Sequence, residues 1–339
     1  VHRTTDNAAA SGIRRLCPAA AGAQNGRMIT GSGDGAAATA GARNAGPDVA
    51  PRARGEWARH WRHAELPGLD LLCARYVRHA FPRHAHDGYV IAAVTHGVEE
   101  VGFPHGSVRT GPGEVMMINP EVAHTARAGT PEGWAYATLY PSAALVAEIA
   151  GETTALRGTA GFAETVTQDP HLGRMITEIH RAAEAGQALA ADTLLRVALA
   201  RLLRCYGGPL PVRAPRSAGA RTAARAKVLL HARMADPPSL EQLAKELGTG
   251  PFALLRAFKD AYGMPPHTWL TDARVRRARL LLEAGTPPAE AAVDVGFTDQ
   301  PHLNRHFTRI VGVPPGAYRR ERAYDRRRNN VQDPEGTAP

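Results

Sequence analysis

Leu254-x-Arg256-x-Phe258, followed by Gly263-x-Pro265-Pro266-x-x-Trp269, returns 49 residues later as Leu303-x-Arg305-x-Phe307 and Gly312-x-Pro314-Pro315-x-x-Tyr318. Upstream, Ala244-x-x-Leu247-Gly248 returns as Ala292-x-x-Val295-Gly296 at an offset of 48, so the second copy has one more residue in its turn. Matches this numerous at one spacing mark two copies of a single supersecondary unit. In the first copy Leu240, Leu243, Ala244 and Leu247 recur at helical spacing. Pro237-Pro238-Ser239 is the start signal and Gly248 the stop. A short turn leads to Pro251, suited to a first helical position, and a second helix points Leu254, Phe258 and Ala261 inward before Gly263. Two short helices joined by a glycine-containing turn make a helix-turn-helix, unless the pair is merely a packed hairpin.

Charge argues against the plain hairpin. Residues 213–328 hold 21 Lys and Arg against 11 Asp and Glu, net +10, whereas the whole chain carries +9. A positive surface confined to a repeated helix-turn-helix is the footprint expected for duplex DNA. On the second helix of each copy, Leu255, Arg256 and Lys259, and then Asn304, Arg305 and His306, fall between the inward Leu and Phe. Arginine can bond guanine bidentately and Asn or Gln can bond adenine. Gln300 and His302 lie one turn earlier, where a recognition helix enters the groove, and Arg309 follows one turn later. Between the copies, Trp269 to Ala284 reads as a helix stopped by Gly285, with Leu270, Ala273, Ala278, Leu281 and Leu282 forming an apolar stripe. A rod of about 25 Å suits two recognition helices about 34 Å apart on one DNA face. Arg274, Arg276, Arg277 and Arg279 are either a solvated face of this rod or contacts to phosphate.

Residues 223–320 resemble the C-terminal DNA-binding domain of the AraC/XylS transcriptional regulators, most specifically through Gly296-Phe297, Leu303-x-Arg305-x-Phe307 and Gly312-x-Pro314-Pro315-x-x-Tyr318-Arg319. The resemblance implies DNA contacts from Gln300, His302, Asn304 and Arg305, and from Phe252, Leu255, Arg256 and Lys259 in the first unit. Phe252 and Leu255 are apolar where such families commonly have polar residues. Sequence reading is therefore expected mainly from the second unit.

The other two thirds read as a second domain and its attachments. Tyr89–Val94, Val98–Phe103, Gly113–Ile118 and Trp134–Tyr140 are expected strands, separated by Gly- and Pro-containing turns, and suggest an all-β barrel or jelly roll. His84-x-His86, Gly97, Gly113 and Pro120-x-x-x-His124 within it resemble a degenerate cupin, the sensor fold usual in AraC-type regulators. The fold expected is thus multi-domain: an N-terminal all-β cupin-like barrel with following helices, and a C-terminal all-α tandem helix-turn-helix domain. His84, His86 and His124, with Tyr89, are candidates for an effector pocket. A divalent metal on the three imidazoles and purely structural hydrogen bonding are the alternatives. No metal or cofactor is expected, because the glutamate that metal cupins place shortly after the second His is missing and Glu99 lies too far along the chain.

The expected boundaries are a disordered Ala/Gly-rich tail over 1–54, the sensor over 55–141, a helical dimerisation segment over 142–206, a linker over 207–222, the DNA-binding domain over 223–320 and a disordered basic tail over 321–339. Leu172–Ala185 and Ala188–Tyr206 are the two helices of the dimerisation segment. No apolar run reaches the ~18 residues of a membrane span, and Cys17, Cys73 and Cys205 have no paired or metal-like spacing, which fits a reducing cytoplasm. The expected activity is a non-enzymatic, homodimeric cytoplasmic regulator that binds promoter DNA and a small-molecule effector, with RNA polymerase a further partner if it activates. The rivals are a metal-dependent cupin enzyme tethered to DNA, an alkyl-acceptor repair protein, which would need an activated cysteine, and a nucleoid-like binder with no effector.

Overall fold

The computed structural model describes residues 55–210 and 217–330; the tail expected over 1–54, with Cys17, residues 211–216 of the expected linker and residues 331–339 lie outside it. The strands are β1 (Trp57–Trp61), β2 (Leu69–Tyr76), β3 (Phe81–His84), β4 (Val90–Gly97), β5 (Glu99–Phe103), β6 (Gly106–Thr110), β7 (Glu114–Ile118), β8 (His124–Ala128) and β9 (Trp134–Pro141). Then come α1 (Ala143–Thr153), β10 (Ala160–Phe162), β11 (Val166–Gln168), α2 (Pro170–Glu184), α3 (Ala188–Tyr206) and β12 (Gly207–Pro209). The C-terminal part is helical: α4 (Ala218–Ala232), α5 (Leu240–Glu246), α6 (Pro251–Tyr262), α7 (Pro266–Ala284), α8 (Pro288–Asp294), α9 (Gln300–Val311) and α10 (Pro315–Asn330).

Two antiparallel sheets, ordered β1-β2-β9-β4-β7-β11 and β3-β8-β5-β6, form the cupin-like body. Their inner faces meet through Leu72, Tyr76, Phe81, Val90, Val101, Met116, Ile118, Trp134 and Tyr136. The outer face of the larger sheet, carrying Leu69, Leu71, Ile91, Val115, Met117 and Leu139, is buried under α1, α2 and α3. Burial on both faces is why these strands read as continuous apolar runs rather than alternating ones. It also uses the stripes of the two expected dimerisation helices: Leu172, Ile176 and Ile179 of α2 cover the sheet, and Leu195, Leu199 and Leu202 of α3 complete the same core, with α3 packed chiefly on α2, α1, β10 and β12.

The repeat appears as two small cores sharing one rod. Leu243, Leu254 and Phe258 pack on Trp269, Leu270 and Ala273 from the first half of α7. Leu303 and Phe307 pack on Val275, Ala278 and Leu282 from its second half, and on Tyr318. The aromatic pairs repeat as well: Phe258–Trp269 at 6.1 Å and Phe307–Tyr318 at 5.5 Å, both edge to face. The extra residue sits in the turn, since 247–250 separate α5 from α6 while 295–299 separate α8 from α9. Helix starts follow the sequence signals: Ser239 and Gln242 form a capping box on α5, and Asp299 caps α9 by accepting from the His302 N–H at 2.7 Å.

Two stretches expected to lack structure are partly helical. Residues 218–222 open α4 and residues 321–330 extend α10. Arg322, which is buried, anchors the extra turn by donating to the Tyr318 hydroxyl at 3.1 Å and pairing with Asp70 of β2 at 3.1 Å.

Candidate DNA interface and effector cavity

Helices α6 and α9 present the expected recognition residues unevenly. Phe252 is 81% exposed, and Arg256 and Lys259 are exposed beside it, whereas Leu255 is half-buried. On α9, Arg305 and Arg309 are exposed one turn apart on the outward face, and Gln300 is exposed at the helix start. His302 and Asn304 are half-buried, and the Asn304 Oδ1 is enclosed without a hydrogen-bond partner. The His302 ring lies 3.3 Å from the Thr298 hydroxyl and edge-on to Phe297, against which His306 stacks at 5.6 Å. Leu255 and Asn304 are equivalent in the repeat, and both sit at the margin of the outward face rather than at its centre.

The arginines of α7 fit neither alternative from the sequence, apart from Arg277, which is exposed. Arg274 donates to the Met234 carbonyl at 2.7 Å. Arg276 pairs with Asp87 of the sensor and lies 3.4 Å from Asp272. Arg279 reaches Asp70 at 3.3 Å and the Tyr318 hydroxyl at 3.3 Å. Arg276 and Arg279 join the helical domain to the barrel and Arg274 braces the helical domain internally, so the basic count over 213–328 overstates the charge available to DNA.

Both recognition helices rest on the barrel at the same repeated point. Their C-caps, Gly263 and Gly312, have φ of 71° and 87°, where a side chain is disfavoured. A Cβ on Gly263 would lie 2.9 Å from Pro104 and 3.1 Å from Ala123, and one on Gly312 would lie 2.2 Å from the Tyr76 hydroxyl. The barrel therefore holds the end of each reading helix as well as the rod between them.

A cavity of about 60 Å³ lies at this junction. The barrel contributes His84, His86, Glu99, His124, Tyr136 and Tyr140; α7 contributes Asp272, Val275, Arg276 and Arg279, and the end of α9 contributes Ile310 and Val311. A second cavity of about 250 Å³ shares His86, Tyr140, Arg276 and Arg279 with it and is bounded by Arg62, Asp70, Asp87 and Glu283. The three histidines expected together are together. Their ring centroids lie 4.4–5.3 Å apart. Tyr89 is the exception and corrects the expectation. Strand alternation turns Val90 and Ala92 to the inner face but Tyr89, Ile91 and Ala93 to the helix side, where the Tyr89 ring packs 5.8 Å from Phe162 and its hydroxyl donates to the Ala160 carbonyl.

Glu99 also corrects the sequence reading, which set it aside as too distant. Antiparallel pairing places Glu99 opposite Ala128 on β8, so Glu99 and His124 share the inner face. Asp272, Arg276 and Arg279 were missed as cavity residues. The one available signal was a carboxylate at position 272, set among the apolar residues of the α7 stripe. Burial pushes the Glu99 carboxyl up to about 7, and burial likewise pushes Asp272 up to about 7 against the pull of Arg276. Burial also depresses His84 to about 4 and, together with the neighbouring His84, His124 to about 3; His86 falls well below its ordinary value for the same reason. The imidazoles are thus neutral near pH 7.

Residues 66–203 match the AraC-like ligand binding domain and residues 243–321 match a helix-turn-helix domain. The chain belongs to the AraC family of transcriptional regulators. An AraC-type chain of this organisation is a DNA-binding transcriptional regulator with a ligand-binding domain. It is 26% identical over 243 residues to the uncharacterized HTH-type transcriptional regulator YbfI of Bacillus subtilis, covering 70% of this chain and 87% of that one. It is 39% identical over 70 residues to the HTH-type transcriptional regulator MtrA of Neisseria gonorrhoeae, covering 20% of this chain and 23% of that one. Among solved structures, ToxT of Vibrio cholerae O395 aligns over 79% of this chain and 98% of its own, with 11% identity and a TM-score of 0.48. No helix among the described residues is long and apolar enough to cross a membrane.

Proposed function

We propose that this AraC-type regulator reads promoter DNA through α6 and α9 under the control of a small polar effector held where barrel and α7 meet. The observation that carries this is the shared wall: α7, which sets the two reading helices relative to one another, lines both cavities with Arg276 and Arg279 and the smaller one with Asp272 as well. A ligand changes DNA affinity only by binding two arrangements of the protein unequally, and a ligand at this wall touches the part that would rearrange. Cavities of this size fit a compact polar molecule rather than the 300–1,000 Å³ occupants of large apolar pockets. The relatives named above are regulators, which favours control over catalysis by a DNA-tethered enzyme. A homodimer would raise affinity for paired sites through effective concentration. Leu189 and Val197, exposed on α3, are what its stripe leaves for such a contact. A cytoplasmic location, and contact with RNA polymerase if the regulator activates, are part of this reading.

On the DNA side, Arg305, Gln300 and Arg309 read or clamp the preferred site, while Arg256 and Lys259 bind backbone and Phe252 packs on thymine methyl groups. His302 and Asn304 take part from the margin of the face, with Leu255 in the matching place on α6. The test uses a duplex selected from random sequence. Arg305→Ala is expected to weaken the selected duplex by about 1–3 kcal/mol and relax preference at one base pair. Equal weakening on every sequence would reassign Arg305 to phosphate. Lys259→Ala is expected to weaken all duplexes alike and to lower the slope of log affinity against log salt by about 1. An unchanged slope would remove Lys259 from the interface.

A further inference from the structure

We propose that His302 and His306 of α9, with His267 of α7 beside them, form a proton-dependent contact to a DNA phosphodiester, so that the protein takes up protons as it binds its duplex. The proposal rests on α9 being a reading helix. It adds what the arginines there do not supply, a contact whose charge is set by pH. His302 and His306 stand one turn apart on a flank of α9, between the buried Leu303 and Phe307 stripe and the exposed Arg305 and Arg309. Their ring centroids are 5.0 Å apart, and both rings meet Phe297, His302 edge-on at 5.1 Å and His306 stacked at 5.6 Å. Both residues are half-buried, so neither ring is closed off from solvent.

The surroundings distinguish this pair from rings that merely pack. His306 is set among bases: burial lowers its pKa, and His302, Arg305, Arg309 and His267 lower it further. Arg305 and Arg309 belong to its own helix, whereas His267 is exposed in the first turn of α7. Arg274, also on α7, lies 5.8 Å from the centroid of the Phe297 ring on which His306 stacks. Among the described residues no carboxylate is ion-paired with any of these groups. Asp299, the nearest acid along the chain, caps the helix by accepting from the His302 N–H at 2.7 Å. Of the other elements against α9, α8 turns Ala291, Ala292 and Val295 inward and leaves Glu290 and Asp294 exposed, while β3 and α10 meet its C-terminal half through Phe81 and Tyr318. In the free protein the bases penalise one another, which holds His306 neutral near pH 7. A phosphate placed among them reverses the balance, because an anion beside an imidazole favours the protonated ring. An imidazolium donates from both nitrogens. His302 has one such partner in place, since its Nδ1 lies 3.3 Å from the Thr298 hydroxyl, and its Nε2 is left to donate to the phosphate. Binding thus raises the pKa of the pair, so its contribution to affinity is full at acid pH and is lost as pH rises through the bound-state value.

The test measures the affinity of full-length protein for the selected duplex by fluorescence anisotropy between pH 8 and pH 6, at fixed ionic strength because phosphate contacts depend on salt. Wild-type affinity should rise about tenfold over this window, the linkage expected when one to two imidazoles charge on binding. Replacing both rings, His302→Gln with His306→Gln, should cut the rise to about twofold. His306→Lys carries its charge at every pH, so it should bind severalfold more tightly than wild type at pH 8 and show a shallower rise. His231→Gln, at an exposed position of α4, should follow wild type. The buried histidines of the barrel titrate alike in all these proteins and drop out of the comparison. The proposal is overturned if the double variant climbs with falling pH as steeply as wild type, or if His306→Lys binds no more tightly than wild type at pH 8. Arg305→Ala on the same duplex separates two failures. Weakened binding there, beside parallel pH curves, overturns this contact and keeps α9 as a reading helix, whereas no loss in any of these variants removes α9 itself.

Discussion

Asp70→Asn should cost about 3–5 kcal/mol, the loss typical when one partner of a buried ion pair is removed. Asp70 stands on β2 and faces three guanidinium groups, Arg62 at 2.7 Å, Arg322 at 3.1 Å and Arg279 at 3.3 Å. Burial alone would raise its pKa, but Arg322, Arg279 and Arg62 together hold it down to about 2. Arg279 lies on α7 and Arg322 on α10, so one barrel carboxylate neutralises charges from two elements of the DNA-binding domain. The amide keeps the shape and removes the charge, leaving Arg322, which is 4% exposed, with little to offset its desolvation. Glu283 remains, but it accepts from the Tyr318 hydroxyl at 2.5 Å and is 3.4 Å from Arg62. Urea midpoints measure the loss, and limited proteolysis tells global unfolding from undocking of the helical domain. Adding Arg322→Met to Asp70→Asn should restore part of the loss, because it removes the stranded charge. A change below about 1 kcal/mol would place these charges in the class of weak surface pairs and remove the weld.

Much of the fold was legible because it was written twice. Phe258 with Trp269 and Phe307 with Tyr318 are fixed by the same spacing, and the one-residue difference between the turns was visible in two offsets. The four expected strands, β4, β5, β7 and β9, were legible through their apolar runs, whereas β2, eight residues long, was not expected. The edge strands were not: β3 contains Pro82 and ends at a register shift, so it shows no clean alternation. The histidine cluster was readable from His84-x-His86 and His124, since residues two apart in an extended segment share a face. What sequence distance hid was whatever arrives by pairing or docking. Glu99 is brought in by antiparallel pairing with β8. Asp272, Arg276 and Arg279 arrive only because the whole helical domain is seated on the barrel. The arginines of α7 looked like a DNA or solvent face because composition counts charges without showing which carboxylate each one meets.

Acidification from pH 7 to pH 5, a window well above that in which carboxylates at the surface act, should cost roughly 4 kcal/mol net. His60, His84, His124 and His180 have pKa values depressed to about 3 or 4, chiefly by burial, and His86 lies well below its ordinary value. The unfolded chain binds these protons near pH 6.5 and the folded one does not. Each group therefore contributes stability that is complete above pH 6.5 and is lost as pH falls toward the folded value. At pH 5 the loss is about 2 kcal/mol for each of His60, His84, His124 and His180, or about 8 kcal/mol together, and His86 adds in the same direction. Glu99 and Asp272, raised to about 7, act in the opposite direction: both regain a proton in the fold over this window and return up to about 3 kcal/mol each. Asp70, held to about 2, begins to matter only below pH 4. His180 separates the terms, since its Nε2–H donates to the Thr138 carbonyl at 3.2 Å while its Nδ1, 3.3 Å from the Cys73 sulfur, is left to accept from the thiol. Protonating Nδ1 would set two donors against each other in a buried site. His180→Gln, compared with wild type by urea unfolding at several pH values, should flatten the dependence between pH 6 and pH 4.5 by one proton, about 1.4 kcal/mol per unit. Parallel curves for the two proteins would mean that His180 titrates normally and that its burial carries no such cost.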